Sequence, residues 1–126
     1  MFPSLWSGDD PESAGSSFHP RPGISSISHA QANALIESGQ CVLLDVRDPE
    51  EFSQIRIPKA VNLPVGRISA ATASEAAPSK EMPVVVYCRT GRRAAEAALM
   101  LQRLGYRTIL NMGGISSWPF ATVTGK

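Results

Sequence analysis

Cys88 is followed by Arg89, Thr90, Gly91, Arg92 and Arg93, and these six residues are the part of the chain whose types and order can do chemistry. A thiol near neutral pH is mostly protonated and only a modest nucleophile. Adjacent positive charge and helix-terminal amides favour the thiolate. The stretch offers both: three arginines close to the cysteine, and a glycine that lets backbone N–H groups from Arg89 to Arg93 turn inward. A helix beginning near Arg92 would aim the positive end of its dipole at the same point. Cations at a helix N-terminus are unfavourable by about 0.3–1 kcal/mol each, so adjacent arginines there imply a resident anion. That anion would be a thiolate, a persulfide or an anionic substrate. The structural alternative pairs Arg92 and Arg93 with Glu96 and makes Cys88 a buried, inert thiol. Cys41 opens a strand without charged neighbours, and packing explains it.

The flanking elements must hold this turn in place. Pro83 starts a strand, Val84 to Tyr87 form it, and Ala94, Ala97, Ala98, Leu101 and Leu104 give the next helix a buried face that ends at Gly105. Upstream, Gly23–Ile27 reads as a weak first strand. Ser28 and Gln31 form a capping box for a helix with Ala32, Leu35 and Ile36 inside and a stop at Gly39. Residues 41–47 form a strand that is apolar on both faces. Asp48 and Pro49 open a short helix, 60–64 is a short strand, and 65–77 is helical in part. Residues 107–112 are the last strand, and Gly113–Trp118 is a tight turn into a short helix. This alternation predicts an α/β domain with a mainly parallel sheet and helices on both faces. Ligands in such sheets sit at the C-terminal strand ends, where Cys88 and the pair Asp45 and Arg47 fall.

The chain has 126 residues, 43% of them apolar and 18% charged, enough for one domain with a real core. A net charge of +1 argues against nucleic acid as a partner. Two cysteines make no disulfide framework, and no Cys/His spacing fits a metal. No apolar run approaches the roughly 20 residues of a membrane helix. The first residues lack a basic n-region and carry early acidic residues, unlike a secretory signal, so the expected setting is reducing and cytoplasmic. Residues 1–22 read as a flexible arm, with Phe2, Leu5, Trp6 and Phe18 able to dock on the domain or a partner, and residues 23–126 as the domain proper.

Across residues 24–118 the chain resembles a single-domain rhodanese, a sulfurtransferase. The pieces that carry the likeness are residues 44–52 (LDVRDPEEF), 57–64 (IPKAVNLP), 84–93 (VVVYCRTGRR), 104–106 (LGY) and 113–118 (GGISSW), in that order. The resemblance implies a five-stranded parallel sheet flanked by helices. It implies a Cys88 thiolate that takes sulfane sulfur from a small anionic donor such as thiosulfate, and a persulfide held by inward amides of residues 89–93. The acceptor would be cyanide, a thiol or a protein cysteine, with no metal and no organic cofactor. Arg89 and Arg93 would orient the donor, Arg92 would help attract it, and Asp45 and Arg47 match a family Asp-x-Arg that supports the site. The protein would act as a monomer or weak dimer. The chain departs from the family at Ile55-Arg56-Ile57-Pro58-Lys59, where Gly-His-Ile-Pro-Gly is usual, which leaves open the shape of that turn and whether Arg56 adds charge to the site or faces solvent.

Two other readings compete. A phosphatase or arsenate reductase of the related type needs arginine six residues after the cysteine, but Ala94 stands there and Arg93 comes one residue too early; the residue before the cysteine is Tyr87 rather than histidine. A non-catalytic rhodanese-like module, used for protein contact or sulfur sensing, shares the fold. The intact Cys88 weighs against it.

Overall fold

Local sequence signals set the elements of the computed structural model, which describes residues 20–125. Most of the expected arm, with Phe2, Leu5, Trp6 and Phe18, lies outside the described residues. Strand β1 (Gly23–Ser26) leads to α1 (His29–Ser38). Ser28 Oγ accepts the Gln31 N–H, and Gln31 Oε1 accepts the Ser28 N–H, closing the capping box read from the sequence. Gly39 ends α1 in the left-handed conformation, φ 75°. There follow β2 (Val42–Asp45), α2 (Pro49–Gln54), β3 (Ile55–Arg56), β4 (Val61–Asn62) and a 3₁₀ turn at Val65–Arg67. The second half comprises α3 (Ala70–Ala76), β5 (Val84–Cys88), α4 (Arg92–Arg103), β6 (Thr108–Gly114), a 3₁₀ turn at Ile115–Ser117, and β7 (Val123–Thr124).

Five strands form one parallel sheet in the order β1-β6-β5-β2-β4, parallel as the alternating pattern predicts and five-stranded as the family resemblance implies. The central strand β5 is buried at every position, which explains its unbroken apolar run. Its side chains alternate between the two faces. Val84, Val86 and Cys88 pack with Ala94, Ala97, Ala98 and Leu101 of α4 and Ala73 of α3. Val85 and Tyr87 point the other way, toward Ala32, Leu35 and Ile36 of α1 and toward Trp118. Burial of each such Val or Leu side chain contributes about 1.5–3 kcal/mol, which anchors the strand that ends in Cys88 on both faces of the sheet.

Two features differ from the sequence reading. Strand β6 runs on to Gly114 instead of stopping at Met112, because a bulge between Val86 and Cys88 shifts the register and sets Gly114 opposite Cys88. The C-terminal residues also pair: β3 and β7 form a small antiparallel ribbon, Ile55 with Thr124 and Arg56 with Val123. Strands of two residues are too short to show periodicity. No helix among the described residues is long and apolar enough to cross a membrane.

Candidate active site

Because β5 is parallel to its neighbours and buried, its C-terminal end can present a side chain to a ligand while the backbone stays fixed. Cys88 occupies that end and is 1% exposed. Gly91, at φ 114°, turns the chain back over it, a conformation that L side chains rarely adopt. As a result the Gly91 N–H donates to Cys88 Sγ at 2.9 Å and the Ala94 N–H donates to it at 3.4 Å. The sulfur thereby takes the place of an N-cap oxygen for α4, which has no side-chain cap of its own. The sequence reading placed the inward amides within residues 89–93. Of these only the Gly91 N–H donates to the sulfur, and its second donor is the amide of Ala94, third in the helix.

Arg89, Thr90 and Arg92 are exposed around this cradle, and Gly91 and Arg93 are half-buried. Arg89 lines a cleft of ≈ 520 Å³ together with Arg47, Glu51, Gln54, Ile55, Ile115 and Ser116. Arg93 does not pair with Glu96, the partner its spacing on α4 suggested. It reaches α2 instead, where Nη1 donates to Glu51 Oε1 at 2.9 Å and Nη2 to Glu51 Oε2 at 3.2 Å. The fork geometry of guanidinium and carboxylate favours this bidentate contact over a single-bond pair along the helix. The hydrogen bonds from Arg93 hold the Glu51 carboxyl below its usual range, and those same bonds to Glu51 hold Arg93 above its own. Glu51 also accepts the Asp48 N–H at 3.0 Å, so one carboxylate caps α2 and holds the first turn of α4 through Arg93.

Asp45 and Arg47 form the second support. Both are buried. Asp45 Oδ1 accepts the Arg47 N–H at 2.9 Å and its Nε–H at 3.0 Å, while Oδ2 accepts from Nη2 at 2.7 Å. Arg47 Nη2 also donates to the Ile55 carbonyl at 2.6 Å. Burial alone would lower the Arg47 pKa; the hydrogen bonds and charge of Asp45 outweigh that and raise it. Asn62 Nδ2 donates to the carbonyls of Asp45 and Arg47, tying β4 to the same corner. The pair therefore fixes the end of β2 and the start of β3 beneath the cleft. Tyr87, next to the cysteine, accepts the Ile57 N–H on its hydroxyl at 3.1 Å and carries a pKa raised by burial.

The turn with the unusual sequence keeps a tight shape. Lys59 adopts φ 74°, the left-handed conformation that glycine takes without strain. Arg56 lies with its guanidinium 4.9 Å from the centroid of the Phe52 ring and donates to the carbonyls of Phe52 and Gly125. It ties the C-terminal ribbon to α2 and is not among the residues lining the cleft. Cys41 sits half-buried, its thiol pushed up to about 11 by burial against an opposing effect of Lys59. Among the described residues no group of His, Cys, Asp and Glu side chains has the geometry to hold a metal ion.

Three residues of this site escape a reading of the sequence. Glu51 looks like an ordinary first-turn carboxylate, and only its position three residues after Asp48 signals a cap. Ala94 contributes through its backbone alone. Gly114 approaches the loop so closely that an added Cβ would lie 2.0 Å from the Arg89 oxygen, and nothing local in the sequence encodes that.

Comparison with known proteins gives a consistent picture. The Rhodanese-like domain family matches residues 28–120. A Schizosaccharomyces pombe protein, named as a candidate mitochondrial thiosulfate sulfurtransferase, is 45% identical over 87 residues, covering 61% of this chain and 60% of that protein. The chain thus spans less than two thirds of that relative's length. The human thiosulfate:glutathione sulfurtransferase is 32% identical over 103 residues, covering 73% of this chain and 90% of that protein. A solved rhodanese with anions from E. coli superposes with a TM-score of 0.62 at 32% identity, covering 67% of this chain and 98% of that one.

Proposed function

The chain belongs to the rhodanese-like family, and we propose that it is a sulfurtransferase working through a persulfide on Cys88. The observation that carries this reading is the cradle itself: one sulfur atom at a strand end, receiving two backbone N–H groups. Those donors stabilise negative charge on sulfur whether it belongs to the thiolate or to a persulfide one atom longer. The exposed Arg89, in the adjoining cleft, supplies a cation for an anionic donor. Arg92 adds exposed positive charge outside the cleft, and Thr90 and Gly91 shape the loop.

The reaction is a double displacement. The Cys88 thiolate attacks the outer sulfur of thiosulfate, the S–S bond breaks, and sulfite leaves with the bonding pair. Cys88 then carries a persulfide. A thiolate or cyanide attacks the terminal sulfur, the new S–S bond breaks, and the Cys88 thiolate is released. Electrons and atoms balance without a metal or organic cofactor. The names of the relatives point to thiosulfate as donor and, for the human protein, glutathione as acceptor. A reducing compartment such as the cytoplasm suits this chemistry, because the resting thiol must stay reduced.

The test is direct. Purified protein treated with thiosulfate should gain the mass of one sulfur atom on the peptide containing Cys88, and lose it on adding glutathione or cyanide. Cys88→Ser should gain nothing. Failure to acquire sulfur from any sulfane donor would remove the enzyme reading and leave a binding or sulfur-sensing module.

A further inference from the structure

Two arginines, Arg47 and Arg89, line the cleft beside the Cys88 loop, and Arg93 lies outside its lining. Arg47 is neutralised by Asp45, and Arg93 is neutralised by Glu51. Arg89 is the cleft-lining cation that forms neither of these pairs. Glu51 itself lines the cleft, with its side chain 28% exposed, so its charge faces the same space as an incoming donor. A capping carboxylate needs no arginine, and an anion-binding arginine works best without a carboxylate. The Glu51–Arg93 pair serves neither task in the simplest way, which directs attention to what it does to the potential in the cleft.

We propose that Glu51 is a specificity-determining residue that limits the negative charge the site accepts, disfavouring dianionic sulfur donors relative to monoanionic ones such as thiosulfonates and low-molecular-weight persulfides. The inference rests on the sulfurtransferase reading for its substrates. The charged and titratable groups facing Glu51 are Arg93 across the pair, Arg47 and Arg89 in the cleft, and Asp48 at the start of its own helix. Repulsion scales with the charge of the ligand. One unit charge a few ångströms away in a water-exposed cleft changes affinity by about five-fold per ligand charge, so a dianion is penalised by about 25-fold. Donor selectivity then depends on Glu51 by about five-fold. The pair also engages both Arg93 Nη groups, so the same carboxylate offsets the charge of a second guanidinium near Cys88.

The test uses Glu51→Gln, which keeps an oxygen to accept the Asp48 N–H and removes the charge. Thiosulfate serves as the dianionic donor and methanethiosulfonate as the monoanionic one. The variant should lower KM for both, with the thiosulfate to methanethiosulfonate preference rising about five-fold. Alkylation gives a readout independent of turnover: the rate ratio of iodoacetate to iodoacetamide at Cys88, mapped by peptide mass at pH 7, should rise about five-fold in Glu51→Gln. Glu51→Asp retains the charge and should leave that ratio near the parent value. An unchanged or lower ratio in Glu51→Gln, or an equal rise in Glu51→Asp, overturns the inference. A raised ratio in a protein that never takes sulfur upholds the charge effect and removes the sulfurtransferase reading instead.

Discussion

Gly114→Ala should disable the site while leaving the fold standing. Gly114 pairs with Cys88 after the β6 bulge, and the backbone of Arg89 and Thr90 passes directly over it. A Cβ there would lie 2.0 Å from the Arg89 oxygen and 2.6 Å from both the Arg89 carbonyl carbon and the Thr90 Cα. A carbon and a carbonyl oxygen rest at about 3.3 Å or more, so one side must retreat by more than about 1 Å. The three nearest atoms are all backbone, so side-chain rotation does not relieve the clash. The loop is the softer side, since β6 is held by two neighbouring strands and Arg89 and Thr90 are exposed. A movement of that size at Arg89 and Thr90 breaks the Ser116 N–H bond to the Arg89 carbonyl, now 3.2 Å, and carries the Gly91 amide off the sulfur. Misplacement by 1 Å can remove about 100-fold in rate, equivalent to about 2.7 kcal/mol in the barrier. The stability loss should be smaller in its consequences, about 1–3 kcal/mol for overpacking at one point. Gly113→Ala is the matched control: φ is 88°, but no atom lies within 4 Å of its added Cβ, so only the backbone conformation is strained. Thiocyanate formation from thiosulfate and cyanide, with thermal unfolding run on the same samples, measures both effects. If Gly114→Ala keeps kcat/KM within a few-fold of the parent, or if Gly113→Ala loses as much, the account of the loop contact is wrong.

Asp45→Asn should be the most destabilising conservative change near the site, since it leaves the buried Arg47 guanidinium without its carboxylate; breaking such a pair costs about 3–5 kcal/mol, readable as a shift in the urea midpoint, and a loss below about 1 kcal/mol would show that water reaches the pair. Lys59→Gly should stabilise the protein slightly, because relief of about 1–2 kcal/mol of left-handed strain outweighs the extra chain entropy of glycine, roughly 0.5–1 kcal/mol. Lys59→Ala retains the strain and should give no gain, so equal stability of the two variants would contradict the strain account.

The parts of this architecture that were legible in the sequence are those written in local code. The capping box at Ser28 and Gln31, the stop at Gly39 and the apolar face of α4 all involve residues within four positions of each other. The buried run of β5 announces a central parallel strand by being apolar without alternation, and its end then locates Cys88. What was not legible depends on distant pairs. The choice of Glu51 over Glu96 by Arg93 requires knowing that α2 and α4 meet above the sheet, 42 residues apart in sequence. Lys59 illustrates a different limit: the sequence shows only that glycine is missing there, while the backbone shows the turn retained at the expense of strain. Arg56 resolves the same way, with its charge spent on the Phe52 ring and two carbonyls, neither on the cleft nor on open solvent.

The positions of the two cysteines bear on the proposed sulfur transfer. Strands β2 and β5 lie side by side and parallel, with Val42 opposite Val84. Cys41 precedes Val42, whereas Cys88 lies four residues beyond Val84, so the two sit at opposite ends of adjacent strands. At about 3.3 Å per residue their separation along the sheet is roughly 16 Å, more than twice the roughly 7 Å that a disulfide allows between Cα atoms. The Cys41 thiol, raised to about 11 by burial, is also a protonated and poor nucleophile at neutral pH. Cys41 therefore cannot resolve a persulfide on Cys88 within the chain. On the proposed mechanism a sulfur atom loaded on Cys88 would leave through an external acceptor, and the cleft lined by Arg89, Ile55 and Ser116, next to the loop, offers it a place to bind. Under the proposed mechanism the charge of Glu51, which lines that cleft, would act on the acceptor as well as on the donor.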